Sequence, residues 1–123
     1  MTRTFMISKL HNAVVTQRDL HYSGSITIDK DLLDVSGMQA NEKVDIYNID
    51  NSNRFSTYII EGEAGSGIIG VNGAAARLVS IDDRVIIVNY GQLDETEMKN
   101  HKSKVIIVKS SDNKEFIIKK GKY

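Results

Sequence analysis

The chain contains no cysteine and no proline, and its 16 basic and 16 acidic residues cancel to a net charge of zero. The absence of cysteine excludes disulfides, thiolate nucleophiles and cysteine-ligated zinc or iron–sulfur sites. A zero net charge gives no overall field that would attract nucleic acid or an anionic membrane. No apolar run approaches the ~20 residues of a membrane helix, and residues 1–10 lack the apolar stretch of a signal peptide. These absences favour a cytoplasmic protein with neither a nucleic-acid nor a membrane partner.

The histidines give no sign of a metal site. His11, His21 and His101 are widely separated, and no H-E-x-x-H motif or acidic cluster at ligand spacing accompanies them. We therefore predict that the chain binds no metal.

The composition is that of one soluble domain covering residues 1–123. Hydrophobic residues make up 41% of the chain and charged residues 26%, and this length suffices for one core but not for two. No repeat, linker or low-complexity segment is visible, and the lysine-rich end at 119–123 is expected to be frayed.

Short runs rich in β-branched residues, bounded by Gly, Asn, Asp and Ser, predict a mainly β protein of the small-barrel kind. The predicted strands are Thr4–Ile7, Ala13–Thr16, Ser25–Ile28, Val44–Ile49, Arg54–Ile60, Gly67–Val71, Arg84–Tyr90, Lys104–Lys109 and Glu115–Lys119. A few short helices accompany them. One is capped by Asp29 and ended by Gly37, and the predicted helices are Lys30–Ser36, Gly73–Leu78 and Leu93–Asn100.

The segment Gly65–Gly70 matches the dinucleotide-binding pattern G-x-G-x-x-G. That pattern requires a helix opening inside it and an acidic residue about 20 positions later. Here the last glycine leads into a strand-like stretch, and Asp82 and Asp83 come too early. A flexible loop is the better interpretation.

The segment Arg54–Tyr58 places an arginine and a tyrosine on one face of a strand, because side chains alternate along β structure. Such a face suits an anion clamp with a proton donor, but the residues alone favour a solvent-exposed surface, where arginine and tyrosine are common. Asn72, followed by Gly73 and three alanines, is similarly open to two interpretations. The start of a helix there could bind an anion or oxyanion, or the small residues could allow close backbone packing.

The bond between Gly24 and Ser25 lies where a loop enters a predicted strand. By itself this pair is typical of an ordinary turn. The position nevertheless puts a hydroxyl directly after the least hindered carbonyl that a chain can offer, so Ser25 could attack the carbonyl of Gly24.

Taken together, these segments closely resemble the pyruvoyl-dependent aspartate 1-decarboxylases. The resemblance extends from the start of the chain to about Tyr90. It is carried by Lys9-Leu10-His11, Asp19 to Ser25, Asn41-Glu42, Arg54 to Tyr58, Gly65-Ser66-Gly67 and Val71 to Ala76. It implies a six-stranded double-psi β-barrel with a few short helices, a homotetramer with active sites between neighbouring subunits, and L-aspartate as substrate. The need for a maturation factor is left open.

The resemblance also implies self-processing. Ser25 would attack Gly24 and convert the amide to an ester, and β-elimination would then separate residues 1–24 from residues 25–123. Loss of ammonia would leave a covalently bound pyruvoyl group derived from Ser25, with neither a metal nor pyridoxal phosphate. In this family Thr57 is linked to the cleavage step, whose oxyanion needs a fixed donor.

In the mature enzyme, the resemblance implies that the pyruvoyl carbonyl forms a Schiff base with the substrate amine and accepts electrons as CO2 leaves. The product would be β-alanine, for pantothenate and coenzyme A synthesis. Tyr58 would be the proton donor, and the residues implied in substrate binding are Lys9, His11, Arg54, Thr57, Asn72, Gly73, Ala74 and Ala75.

Physical reasoning indicates which substrate carboxylate Arg54 holds. A tight clamp on the departing carboxylate would stabilise the ground state more than the transition state and slow the reaction. We therefore expect Arg54 to bind the retained side-chain carboxylate.

A different class of function fits the same composition. A small double-psi or swapped-hairpin barrel that never processes itself could serve as an interaction or DNA-binding module. The zero net charge disfavours DNA binding, and this alternative leaves Arg54–Tyr58 and Asn72 unexplained. The mass of the intact chain distinguishes the two.

Overall fold

The computed structural model describes residues 1–123 and is mainly β, as the sequence predicts. Its nine strands are β1 (Arg3–Val14), β2 (Gln17–Asp19), β3 (Ser25–Asp29), β4 (Lys43–Asn48), β5 (Arg54–Gly62), β6 (Ile69–Asn72), β7 (Arg84–Leu93), β8 (Ser103–Val108) and β9 (Phe116–Gly121). The helices are α1 (Lys30–Ser36), α2 (Glu95–Asn100) and a 3-10 helix over Gly73–Leu78.

The strands form one sheet in the order β2-β6-β3-β5-β4-β7-β1-β8-β9. Three neighbouring pairs are parallel, namely β3 with β5, β1 with β8 and β2 with β6. The other pairs are antiparallel. This mixed pairing interleaves the two ends of the chain and puts β3, the strand that begins with Ser25, between β5 and β6.

The core is built from alternate side chains of these strands. Because successive residues of a strand face opposite sides, strands such as β4 give the core every second side chain, whereas all four residues of β6 are buried and β9 contributes only the partly buried Phe116. Fully buried examples are Leu10, Ile26, Ile28, Ile46, Ile59, Ile69, Ile87 and Ile106. Burying each such side chain stabilises the fold by about 1.5–3 kcal/mol, and the opposite face is left free for polar residues.

The first strand is longer than predicted. The segments Thr4–Ile7 and Ala13–Thr16 are not two strands, because β1 runs continuously over Arg3–Val14 and its register with β7 shifts twice. At the second shift Asn12 takes a left-handed conformation with φ of 62°. A bulge of this kind lets a strand bend without ending.

The C-terminal end of the chain differs from the prediction. The lysines at 119 and 120 are not frayed, since β9 pairs with β8 through Lys119–Val105 and Lys120–Lys104. Only Lys122 and Tyr123 follow the last strand.

The helices are short and locally capped. Asp29 accepts a hydrogen bond from Asp31 N at the start of α1, and Gly37 ends that helix with φ of 80°, as predicted. Helix α2 begins two residues later than predicted, with a capping box between Asp94 and Glu97. No helix in the structure combines the length and apolar character needed to cross a membrane.

Two buried polar side chains connect distant loops. The Asp29 carboxylate accepts hydrogen bonds from the backbone N–H groups of Gly65 and Gly67, at 3.1 and 2.7 Å. The Asn113 amide pairs with both the N–H and the carbonyl of Val14 and donates to the carbonyl of Gly67. These bonds hold the loop after β5 against the end of β3 and the C-terminal hairpin.

Candidate active site

Ser25 is fully buried at the first position of β3, directly after the exposed Gly24. Its hydroxyl donates a hydrogen bond to the carbonyl of Ser23 at 2.9 Å and accepts one from Asn72 Nδ2 at 3.0 Å. The hydroxyl is therefore held in one orientation, although the residues before it form an exposed loop.

Asn72 lies opposite Ser25 in the antiparallel register of β6 and β3. Its amide does not cap the following 3-10 helix. Instead, the two hydrogens of Nδ2 are donated to the hydroxyls of Ser25 and Thr27, at 3.0 and 3.1 Å. The amide is thus a fixed donor beside the Gly24–Ser25 bond.

Gly73 lies against the backbone of Gly24. A Cβ atom at position 73 would lie 2.6 Å from Gly24 Cα and 2.7 Å from Gly24 N, and Gly73 has a φ of 73° that favours glycine. Gly24 itself is not in the left-handed region, and a Cβ there would meet nothing within 4 Å. Close backbone approach is the role of Gly73, while Ala74 is exposed and Ala75 is half-buried beside it.

Tyr58 lies on β5, which flanks β3 on the side opposite to β6. Ile26 pairs with Ile59 in the parallel register of β3 and β5, so one step back along both strands places Ser25 beside Tyr58. Neighbouring positions of parallel strands face the same side, and Tyr58 is 39% exposed there. Thr57 precedes Tyr58 on β5 and is half-buried on the opposite face of that strand. The Thr57 hydroxyl makes no hydrogen bond to Gly24 or Ser25.

Arg54, Ser56 and Tyr58 share the exposed face of β5, as the alternation predicts, whereas Phe55 and Thr57 are half-buried on the other face. Arg54 lies about 13 Å along the strand from Tyr58, at ~3.3 Å per residue. Its guanidinium carbon is 4.3 Å from the centroid of the Tyr47 ring.

Lys9 and His11 occupy the same outer face at a distance. The paired positions Lys9–Val88, Val88–Asp45 and Asp45–Ser56 form a row across β1, β7, β4 and β5. Three strand spacings of ~4.8 Å separate Lys9 from Ser56. Burial and, secondarily, the cation of Lys9 lower the pKa of His11, and the buried His11 Nδ1 has no hydrogen-bond partner within the chain.

The remaining sequence motifs lie elsewhere. Gly65 and Gly67 form a loop with positive φ values, and Gly70 lies in β6, so Gly65–Gly70 does not open a helix. No group of three His, Cys, Asp or Glu residues is arranged to hold a metal ion.

Comparison with known proteins identifies the family. The aspartate decarboxylase family model matches residues 1–115. An aspartate 1-decarboxylase of Bacillus pumilus (strain SAFR-032) is 58% identical over 118 residues, which cover 96% of this chain and 93% of the relative. The chain belongs to the aspartate decarboxylase family.

Further aspartate 1-decarboxylases support the assignment. The one from Thermoanaerobacter pseudethanolicus is 54% identical over 108 residues, covering 88% of this chain and 92% of the relative. The one from Polynucleobacter asymbioticus is 51% identical over 108 residues, covering 88% and 90%. The chain is therefore an enzyme, and aspartate decarboxylation is its supported activity.

Within one chain of this decarboxylase, the structure brings together only part of the predicted site. Gly24, Ser25, Tyr58, Asn72 and Gly73 form one cluster around the start of β3. The residues that stand apart on the same sheet face are Lys9, His11 and Arg54.

Sequence reasoning missed a tyrosine that contacts Arg54 and a second tyrosine that contacts the first. The hydroxyls of Tyr47 and Tyr90 are 2.9 Å apart, and Tyr47 lies directly opposite Arg54 in the register of β4 and β5. Alternation along each strand shows that these side chains face outward. Their meeting depends on the pairing of β4 with β7, which the sequence does not display.

Proposed function

We propose that this aspartate decarboxylase cuts itself between Gly24 and Ser25, giving residues 1–24 and residues 25–123. The mature enzyme then converts L-aspartate to β-alanine and CO2, which would serve pantothenate and coenzyme A synthesis. The observation that carries the proposal is the buried Ser25 hydroxyl, which bridges Asn72 Nδ2 and the Ser23 carbonyl next to the exposed Gly24.

The cleavage chemistry balances with groups of the chain and one water molecule. Ser25 Oγ bonds to the carbonyl carbon of Gly24, the Gly24–Ser25 amide bond breaks, and the hydroxyl proton ends on the freed nitrogen. Loss of the Ser25 Cα proton expels Gly24 as a carboxylate that keeps Oγ. The methylene carbon left by this elimination takes up a proton as the amine becomes an imine, and water then displaces the nitrogen as ammonia and leaves a pyruvoyl group on residues 25–123.

Two neighbours support this cleavage. The Ser23 carbonyl accepts the hydroxyl hydrogen at 2.9 Å and so fixes the orientation of Oγ. Thr57, which precedes Tyr58 on β5, is proposed to assist at the tetrahedral intermediate, where a developing oxyanion benefits from a donor.

The surroundings of Ser25 fit a pyruvoyl group. Such a group is no bulkier than serine and offers oxygen acceptors only, and Asn72 Nδ2 is a donor already aimed at this position. When present, the pyruvoyl carbonyl reacts with the substrate amine and accepts the electron pair that CO2 leaves behind. Ala74 and Ala75 leave room beside it, and Tyr58, adjacent to Ser25, would donate a proton to the substrate carbon.

Arg54 is proposed to hold the retained side-chain carboxylate of aspartate. The ion pairs within the chain are Lys30–Asp34 and Arg84–Asp50, so Arg54 has no internal carboxylate partner. A guanidinium offers a planar fork of donors that matches a carboxylate. Lys9 and His11 would contribute to the same substrate site from another copy of the chain.

This division of the site supports a shared active site in a homotetramer. Lys9 and His11 are remote from Ser25 within one chain, and Tyr58 and Arg54 are exposed. The parallel pairs among antiparallel ones support the double-psi topology of the barrel.

Intact mass under denaturing conditions tests the proposal directly. We expect two masses, corresponding to residues 1–24 and 25–123, with the larger piece lacking a free amine and reacting with a carbonyl reagent such as hydroxylamine. The same sample is expected to release CO2 and β-alanine from L-aspartate. A single uncut chain without this activity would contradict the proposal and favour a non-processing barrel.

Replacing Arg54 with lysine tests the orientation of the substrate. Hydrogen bonds to a charged group contribute about 1.5–3 kcal/mol, so Arg54→Lys is expected to reduce kcat/KM for aspartate by about 10- to 100-fold. Asparagine, whose side chain carries no charge, should bind the variant nearly as well as it binds the unsubstituted enzyme, as measured by its inhibition constant. Arg84→Lys, which changes an exposed arginine paired with Asp50, is the matched control. Equal losses for aspartate and asparagine would show that Arg54 holds the other carboxylate.

A further inference from the structure

The Arg54 guanidinium lies against an aromatic face. Its carbon lies 4.3 Å above the Tyr47 ring, within the ~6 Å range of a cation–π contact. Stacking of this kind occupies the flat face of the guanidinium and leaves the N–H groups on its edge free. A carboxylate binds to that edge, so both interactions can exist at once.

The Tyr47 ring is itself held in place from the next strand. Its hydroxyl is 2.9 Å from the hydroxyl of Tyr90 and 3.5 Å from Asp45 Oδ2. Tyr47 is half-buried on β4, whereas Tyr90 is exposed on β7. The tyrosine ring is therefore fixed at both ends, through its backbone on β4 and through its hydroxyl from β7.

The nearby carboxylate of Asp45 forms no ion pair with Arg54. Asp45 Oδ1 accepts a short hydrogen bond from the Ser56 hydroxyl, and Asp45 lies opposite Ser56 in the register. Neither of the chain's ion pairs includes Arg54. The edge of the guanidinium thus remains available to a ligand.

We propose that the Tyr47–Tyr90 hydroxyl pair is a positioning device that fixes the plane of Arg54, so that its N–H edge is presented to a dicarboxylate substrate. The proposal rests on the proposed function, because it takes Arg54 to be the carboxylate partner. It adds two positioning residues, neither of which contacts the reacting atoms.

The ionisation state of Tyr47 agrees with this role. The hydrogen bond with Tyr90, and secondarily burial, raises the pKa of Tyr47 to about 12. The neutral phenol therefore persists as the pH rises to about that value. A phenolate would form an ion pair with Arg54, whereas the neutral ring only supports it.

Three substitutions separate the ring face from the hydroxyl pair. Tyr47→Leu removes the stacking face and is expected to raise KM for aspartate by roughly 3- to 30-fold, the range of a cation–π contact. Tyr47→Phe and Tyr90→Phe keep both rings but lose the hydroxyl pair, and each should raise KM by about 2- to 5-fold with little change in kcat. Because Tyr47→Phe already removes the contact that Tyr90→Phe removes, the double variant should be no worse than Tyr47→Phe alone.

Two measurements do not depend on turnover. Succinate, a dicarboxylate without an amine, should bind each variant more weakly by the same factor as aspartate, as measured by calorimetry. Absorbance at the phenolate band should show one tyrosine titrating near pH 12 in the original protein, and Tyr90→Phe should bring that titration toward the ordinary value of about 10. Tyr123→Phe, at the exposed end of the chain, is the control.

The outcomes distinguish this inference from the function on which it rests. The proposed function would be overturned if the unsubstituted protein were uncut and inactive. An active original enzyme whose KM and succinate affinity are unchanged in Tyr47→Leu, Tyr47→Phe and Tyr90→Phe would overturn the positioning role alone. A drop in kcat with unchanged KM would also overturn it, because positioning of Arg54 acts on substrate binding.

Discussion

Ser25→Ala is expected to give a single uncut chain without decarboxylase activity. Alanine has no Oγ to attack Gly24, and it also loses the hydroxyl that Asn72 Nδ2 and the Ser23 carbonyl bind. Intact mass and CO2 release measure the two effects. The effect is all-or-none, since without the cut no pyruvoyl group forms.

The matched control is Ser23→Ala, two residues earlier in the same loop. Ser23 is exposed, and only its backbone carbonyl contacts Ser25, so removal of its side chain should leave cleavage complete. Circular dichroism should confirm that both variants are folded. Cleavage of Ser25→Ala, or activity of its uncut form, would refute Ser25 as the nucleophile.

Gly73→Ala is expected to slow self-cleavage by about 100-fold, the scale of a 1 Å misplacement of reacting groups. The added Cβ would lie 2.6 Å from Gly24 Cα, 2.7 Å from Gly24 N and 3.2 Å from the Tyr22 carbonyl. All three are backbone atoms, so the loop that carries the proposed cleavage site has to move. The φ of 73° adds strain, and we expect a loss of about 1–3 kcal/mol in the free energy of unfolding.

Gly70→Ala, three residues earlier on β6, serves as the control. Its Cβ would find its nearest atoms at 3.7 Å, which is ordinary contact, and Gly70 is outside the left-handed region. The fraction cut is followed by mass at fixed times after purification, alongside a urea unfolding curve for each variant. Equal cleavage rates in folded Gly73→Ala and Gly70→Ala would show that the contact with Gly24 does not position the bond.

Local patterns predicted most of the strands, because their signals lie within a few residues. The alternation of Arg54–Tyr58 fixed the exposed face of β5, and the caps at Asp29 and Gly37 fixed both ends of α1. The bulge at Asn12 and the three-residue strand β2 have no such signal. β2 exists through its parallel pairing with β6, and the lysines of β9 are ordered by their pairing with β8.

The candidate site was only partly predictable for the same reason. The resemblance supplied Ser25, Asn72 and Tyr58, and strand register puts them side by side. The contact of Tyr47 with Tyr90 joins two residues on different strands, and neither has a neighbour in the sequence that indicates it. The close approach of Gly73 to Gly24 likewise follows only from the pairing of β6 with β3.

The interior position of β1 has a consequence for the cut protein. β1 is paired with β7 over most of its length and with β8 over residues 8–11, and Asn113 binds both polar groups of Val14 near its end. Residues 1–24 could not dissociate without disrupting the sheet, so the two pieces would stay associated after cleavage. After denaturation, however, the two pieces would have to associate again before the fold could form. Maturation would thereby change refolding from a unimolecular into a bimolecular reaction, with an apparent stability that depends on protein concentration.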